Sequence, residues 1–174
     1  AALDSRANIL LSRGDCDGCA AVIEEISTHI AGERGRLHWD ELTEASSRAR
    51  LAQARGLWKD AIRELSDGVR LASACGDALW NSRMRLSRSR CFSRIGQYSS
   101  AAEDVIQSRL VDRIDVRDTC RYYGALSSFE WLSPSRAGHY LARGLCLARA
   151  IPDATLEREL LWGSEVPSVQ STHP

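Results

Sequence analysis

Apolar and polar positions along the chain follow a helical periodicity that short turn signals interrupt at regular intervals. The pattern predicts four pairs of helices and no β-sheet. The first helices of the pairs are expected at 2–13, 36–54, 78–94 and 114–131, and the second helices at 17–31, 58–75, 98–110 and 134–150.

A last short helix is predicted after the fourth pair, and it ends near the glycine at position 163. Its apolar face, formed by Leu156, Leu160 and Leu161, is suited to cover the open end of a stack of helices. The segment behind it is polar and contains prolines, which is typical of a loose terminus. The predicted organisation is therefore a helical repeat domain at 1–163 followed by a flexible tail at 164–174.

Four segments of the chain align with one another and turn this pattern into a repeat. Each has a small residue early in its second helix, namely Cys19, Ala61, Ala101 and Ala137. These residues are 42, 40 and 36 positions apart. A period near 40 with one turn per repeat is typical of stacked helix pairs. A second small residue on each first helix predicts another point of close packing, at Ala7, Ala49, Ser89 and Ala125.

Glycines mark the turns between the two helices of a pair. Gly14, Gly56 and Gly96 follow the ends of first helices, where a left-handed residue caps a helix at little cost to glycine. Trp58 and Tyr98 stand two positions after their glycines and are expected to cover these turns.

These segments resemble the tetratricopeptide repeat (TPR) family, whose pattern is W-x2-L-G-x2-Y…A-x3-F…P. The second-helix half occurs twice, as Gly56-x-Trp58-x-x-Ala61-x-x-x-Leu65 and Gly96-x-Tyr98-x-x-Ala101-x-x-x-Val105. The first-helix half is degenerate. The closing proline is replaced by Cys75-Gly76-Asp77, which is expected to end one helix and cap the next.

The long repeat that closes with Gly-Asp is similar to the repeats of bacterial signalling and transcription regulators. The resemblance covers about residues 1 to 150. It implies an all-α fold, a TPR-like right-handed solenoid of about four antiparallel helix pairs plus a C-terminal capping helix.

Charge and hydropathy narrow the classes of partner. Lys+Arg 23 balances Asp+Glu 23, so the chain has no global field that would attract nucleic acid or an anionic membrane. No apolar run approaches the roughly 18 residues of a spanning helix. The chain begins without an initiator Met or the features of a signal peptide, so we expect it to be a piece of a longer protein. Arginine almost entirely replaces lysine, which suggests a GC-rich bacterial genome.

The six cysteines fall inside helical patterns, mostly beside apolar residues. This placement is typical of buried free thiols in a reducing compartment, and it predicts a cytoplasmic protein. Cys16 and Cys19 form a C-x-x-C, which also occurs in zinc sites and redox pairs. Zinc needs four ligands, however, and the repeat already explains both residues. We therefore expect the pair to be structural, with no metal and no cofactor.

No catalytic constellation is recognisable in the sequence. It lacks G-x-S-x-G, a phosphate-binding loop, H-E-x-x-H and a glycine-rich dinucleotide turn, so enzyme function is not predicted. The histidines are scattered and are expected at the surface, at His29, His38, His139 and His173. The adjacent acids of Glu24-Glu25 and Asp40-Glu41 point apart on a helix and are expected to be solvated.

The third first helix carries an unusual density of arginine. Arg83, Arg85, Arg88, Arg90 and Arg94 lie in a stretch from 78 to 102 that contains no acid. Something must offset their repulsion. One interpretation is intramolecular pairing with acids of the neighbouring second helices, which are Glu64, Asp67, Glu103 and Asp104. The other interpretation is a groove for an acidic ligand.

In TPR-type solenoids the first helices line the concave face, where peptides bind. The resemblance places this groove at Asn8, Ser12, Arg50, Gln53, Arg83, Arg90, Arg94, Tyr122 and Phe129. Arginine forks suit carboxylates and the aromatic rings would serve as anchors. Arg85 and Arg88 fall off this face and should pair with acids on neighbouring helices. The family's two-lysine carboxylate clamp is not reproduced.

The sequence thus predicts a module that binds a protein or a peptide, with an acidic ligand as one option, within a larger bacterial regulatory or signalling protein. Nucleic acid and membrane are not expected as partners. Two alternatives stay open: a self-association module that builds a homo-oligomer, and a cysteine-based metal or redox protein.

Overall fold

The computed structural model describes residues 2–32, 37–108, 116–127, 133–151, 156–157 and 160–161. Within these ranges all regular structure is α-helical. The helices are α1 (Ala2–Ser12), α2 (Cys16–Gly32), α3 (His38–Ala54), α4 (Trp58–Ala74), α5 (Ala78–Arg94), α6 (Tyr98–Gln107), α7 (Val116–Ser127) and α8 (Pro134–Ala150).

The helices pack sequentially in adjacent pairs, as the periodicity predicts. Helices α5 and α8 have the expected bounds, and the other expected ends that fall on described residues differ from the observed ones by one residue at most. The expected ends of the helices near 36, 110, 114 and 131 lie outside the described residues, as do the expected start of the last helix at Pro152 and the tail at 164–174. The chain divides into two compact units, at 1–114 and 115–174, and each is described by itself.

Four turns in the described part of the first unit share one backbone geometry. At the α3–α4 turn, Gly56 has a φ of 72°, and its N–H donates to the carbonyl of Gln53 at 3.0 Å. Leu57 N–H donates to the carbonyl of Ala52 at 2.8 Å, which completes a Schellman motif. The same pair of bonds recurs at the other turns, whose glycines have φ values of 78° at Gly14, 70° at Gly76 and 76° at Gly96. The predicted left-handed caps are confirmed.

Two of these turns also cap the following helix through an aspartate. Asp77 Oδ1 accepts from the Trp80 N–H at 3.0 Å, and Asp15 Oδ1 accepts from the Gly18 N–H at 2.8 Å. These carboxylates satisfy donors that the first turn of a helix leaves open. The expected double role of the Gly-Asp pair at 76–77 is therefore confirmed, and the turns need no proline.

Small residues hold the helices of the first unit close together. Cys19, Ala61 and Ala101 are fully buried, as the repeat predicts, whereas Ala137 of α8, the fourth member of this row, is only half-buried. A Cβ on Gly68 of α4 would lie only 3.0 Å from Met84 Cε of α5, so these helices approach one another closely at that point. The second row of small residues is buried too, at Ala7, Ala49, Ser89 and Ala125.

In the second unit, Leu156 and Leu160 pack against Cys120 of α7 and Ala148 of α8. A Cβ on Gly124 would lie 2.5 Å from Leu160 Cδ2, so any larger residue at this position would require the Leu160 side chain to shift. The prediction for Leu161 is wrong, because its side chain is 43% exposed and does not belong to the covering face. On a helix, residues 156 and 160 share a face, while the next position turns away from it.

Candidate binding face of the first helices

The arginine-rich helix α5 divides its side chains between a buried ion cluster and the surface of the first helices. Arg88 donates to both carboxylate oxygens of Asp104 on α6, from Nε to Oδ2 at 2.8 Å and from Nη2 to Oδ1 at 2.7 Å. Arg85 Nη1 donates to the same Oδ1 at 3.0 Å. The Asp104 carboxylate is 3% exposed, so a bidentate fork and a second arginine enclose it.

Arg85 and Arg88 are thereby assigned to the fold. Arg88 also donates to Ser66 Oγ of α4 at 2.9 Å, so the cluster connects three consecutive helices. The prediction that these two arginines pair with acids of neighbouring helices is confirmed. The acids Glu64 and Asp67 of α4 instead lie beside arginines of their own helix.

Polar side chains join α1 to α3. Asp4 Oδ1 accepts from Ser47 Oγ at 3.0 Å, and Arg50 Nη1 donates to Asn8 Oδ1. Arg50 Nη2 also donates to Ser46 Oγ at 3.2 Å. Asn8 and Arg50, which the sequence assigns to one groove, are therefore direct neighbours on successive first helices.

The contact between α3 and α5 is polar as well. Gln53 Nε2 lies 3.0 Å from Ser87 Oγ and 3.0 Å from Cys91 Sγ. Burial raises the pKa of the Cys91 thiol to about 11, although the hydrogen bond from Gln53 acts in the opposite direction. Cys91 is therefore a packed, neutral thiol that helps to place Gln53.

These bonds cross three parallel helices and belong to one half-buried polar surface. We call this surface the first-helix face, and it comprises Asn8, Arg50, Gln53, Arg83 and Arg90. Arg83 and Arg90 lie seven positions apart on α5, so they share the side of α5 that carries Ser87. The face thus combines two amides with three guanidinium groups.

The other expected groove residues have different outcomes. Arg94 lies with its Cζ 5.7 Å from the ring centroid of Trp58, so it closes the α4–α5 contact as a cation–π partner. Ser12 is exposed and donates to the carbonyl of Ile9 at 2.8 Å. Tyr122 belongs to the second unit, and Phe129 lies outside the described residues.

The C-x-x-C pair lies in the first turn of α2. Cys19 is fully buried, and this burial, followed by the neighbouring Cys16, raises the pKa of its thiol. The guanidinium of Arg55 acts in the opposite direction. Within the described ranges no group of three or more His, Cys, Asp or Glu side chains could hold a metal ion. All six cysteines are free thiols, but Cys75 and Cys146 are exposed, against the expectation of burial.

A row of aromatic side chains that the sequence pattern did not predict lies between α7 and α8. The rings of Tyr122 and Tyr123 are 6.0 Å apart, and those of Tyr123 and Tyr140 stack at 6.3 Å with 19° between their planes. His139 stands edge-on to Tyr140 at 6.0 Å. Arg143 Cζ lies 5.2 Å from the Tyr123 ring centroid. Two adjacent aromatic pairs in the sequence, Tyr122-Tyr123 on α7 and His139-Tyr140 on α8, were the available sign of this row.

Among the helices in the described part of the chain, none is both long enough and apolar enough to cross a membrane. Comparison with models of protein families, with curated proteins and with solved structures gave no match to this chain.

Proposed function

We propose that this chain is a helical repeat module that binds a protein or peptide through its first-helix face, and that the preferred ligand carries carboxylates. The observation that carries the proposal is the row of polar side chains in which Arg50 of α3 contacts Asn8 of α1, and Gln53 of α3 contacts Ser87 of α5. Planar arginine forks and amides are the groups that fix the backbone and acidic side chains of a bound segment.

The contact pattern of the first unit supports a curved array with these helices on its inner side. Side-chain bonds join α1 to α3 and α3 to α5, so the first helices of successive pairs lie side by side. In a TPR-like solenoid this arrangement forms the concave surface. We further propose that the module serves a larger bacterial regulator in a reducing cytoplasm, which its six free cysteines support.

The test compares charge reversals on the two sides of the array. Peptides are selected from a random library on the wild-type chain, and the affinity of the best one is measured by calorimetry. Arg90→Glu should weaken binding by about 2 kcal/mol, the scale of a lost charge-assisted contact. Arg63→Glu is the matched control, because Arg63 is an exposed arginine on the second helix α4.

Binding that is unchanged by Arg90→Glu, or a variant that only melts at a lower temperature, would contradict the proposal. The first result would place the ligand elsewhere, and the second would make Arg90 part of the scaffold. Arg94→Glu is a poorer choice than the sequence suggested, since it also removes the contact with Trp58.

Self-association is a second candidate, and exposed apolar side chains favour it. The starts of α3 and α5 expose three apolar side chains, Leu37, Trp39 and Leu79. The two helix starts are neighbours, because His38 Nε2 lies 3.8 Å from Asp77 Oδ2. Light scattering over a range of concentrations tests this candidate. A mass that rises with concentration, and falls back in Trp39→Ser, supports an oligomer; a constant monomer mass rejects it.

A further inference from the structure

The described part of the second unit carries five arginines and two acids. The two acids are Asp118 and Glu157. Asp118 is fully buried, and its Oδ1 lies 3.3 Å from Arg121 Nη1. Glu157 Oε1 accepts from Arg149 Nε at 2.7 Å. The described residues therefore offer no carboxylate to two further arginines, Arg136 and Arg143 of α8.

These two arginines stand on one exposed stripe of α8. They are seven positions apart, which corresponds to about 10 Å along a helix. His139 and Tyr140 lie between them on the same side, and Tyr140 continues into the stacked ring of Tyr123. The stripe is thus a row of cation, aromatic rings and cation.

Arg143 is oriented so that it can still bind a ligand. Its guanidinium lies over the Tyr123 ring, and a stacked guanidinium keeps its in-plane N–H donors available for a carboxylate. The backbone of α8 allows this arrangement at Gly144, where a Cβ would lie 3.3 Å from Tyr123 Cβ.

From this geometry we propose that the α7–α8 surface binds an acidic peptide segment, with one carboxylate on Arg136, another on Arg143, and an apolar side chain on the rings of Tyr123 and Tyr140. In an extended segment, side chains two and four positions apart face the same side, and residues four positions apart are separated by about 13 Å. The two long arginine side chains can therefore hold acids four positions apart, with an apolar residue midway between them facing the rings.

A peptide fits this surface better than a nucleic acid does. Binding to nucleic acid draws most of its affinity from many phosphate contacts, typically about 6–10 in well-studied complexes. Two arginines supply too few phosphate contacts for a nucleic acid. Two guanidinium groups with tyrosine rings between them instead match a short acidic peptide that carries an apolar residue. The inference goes beyond the proposed function, because it concerns another unit and does not depend on the first-helix face.

The test uses the full chain and a fluorescent peptide that carries two glutamates four positions apart with a phenylalanine midway between them. We expect saturable binding by anisotropy that weakens as salt rises. Arg136→Gln and Arg143→Gln should each raise the Kd about tenfold, the equivalent of one charge-assisted contact. Arg149→Gln is the matched control on the same helix, and circular dichroism checks that each variant is folded.

Peptide variants address the ligand without changing the fold. A peptide with glutamines in place of the glutamates, and one with glycine in place of the phenylalanine, should both bind more weakly. Equal binding of the glutamine peptide, an equal effect of Arg149→Gln, or no binding of the acidic peptide overturns the proposal, as does tighter binding of a thymidine oligonucleotide. Arg90→Glu should leave this binding unchanged, which separates it from the first-helix face.

Discussion

The carboxylate of Asp104 is expected to be the most sensitive charged group of the first unit, and Asp104→Asn tests this. The change keeps the shape and one acceptor of the side chain but removes the negative charge. It also turns an N–H₂ group towards the Arg88 fork. Two arginines, whose side chains are only 16–18% exposed, then lose the anion that balances them.

The magnitude follows from the bonds that are lost. A hydrogen bond to a charged group contributes about 1.5–3 kcal/mol, and breaking a buried ion pair on one side costs about 3–5 kcal/mol. Because both arginines can turn partly towards water, we expect the lower end, a loss of about 3 kcal/mol in the free energy of unfolding.

Urea unfolding followed by the fluorescence of the half-buried Trp58 and Trp80 measures this loss. Glu103→Gln is the matched control, since Glu103 is the neighbouring carboxylate on α6 and is exposed. It should change stability by less than about 0.5 kcal/mol. High salt should reduce the difference between the two variants only slightly, because a buried cluster is weakly screened.

A double variant separates loss of the ion cluster from loss of packing. Asp104→Leu leaves two cations behind, whereas Asp104→Leu with Arg88→Leu leaves one and fills the space with apolar groups. The double variant should therefore be more stable than the single variant. If Asp104→Asn loses no more than Glu103→Gln, the carboxylate is solvated and the assignment of Arg85 and Arg88 to the fold is wrong.

Four further predictions follow from the packing. Gly56→Ala should destabilise by about 1 kcal/mol, since alanine is strained at positive φ, whereas Gly138→Ala inside α8 should stabilise slightly in the same melting assay. Ala61→Leu should cost about 1–3 kcal/mol in urea unfolding through overpacking. Cys19→Ala should cost less than that, and zinc titration should show no loss of affinity relative to wild type. Because the pKa of Cys91 is raised in the fold, the neutral thiol stabilises it below pH 9, and this advantage over Cys91→Ala should fade between pH 9 and about 11.

The sequence predicts the helix pairs well because their determinants are local. A left-handed glycine and the aspartate after it specify a turn within a few residues, as Gly76 and Asp77 do. The small residues of the core are predictable for a similar reason, since every repeat needs the same close approach. The error at Leu161 shows the limit of apolarity as a guide: three leucines predict one face, but the helix turns only two of them inwards.

The partners of charged side chains are less accessible from sequence. Helical periodicity separates Arg85 and Arg88 from Arg83 and Arg90, and this division is confirmed for the first pair. It does not tell which acid they meet, because that depends on the angle between α5 and α6. Asp104 and Glu103 are neighbours in sequence with the same charge, yet one is enclosed by arginines and the other is exposed.

The aromatic row of the second unit was not predicted from the sequence. The repeat register assigns Tyr122 to a groove together with residues of α1, α3 and α5, and this assignment stays a prediction. Its described contacts are with Tyr123, and through it with Tyr140 and Arg143 of α8. A repeat pattern assigns residues to equivalent positions on successive helices. It does not predict which side chains lie beside each of these positions, and those side chains decide what a ligand contacts. The first-helix face and the α7–α8 surface are therefore tested with separate ligands, each with its own matched control variant.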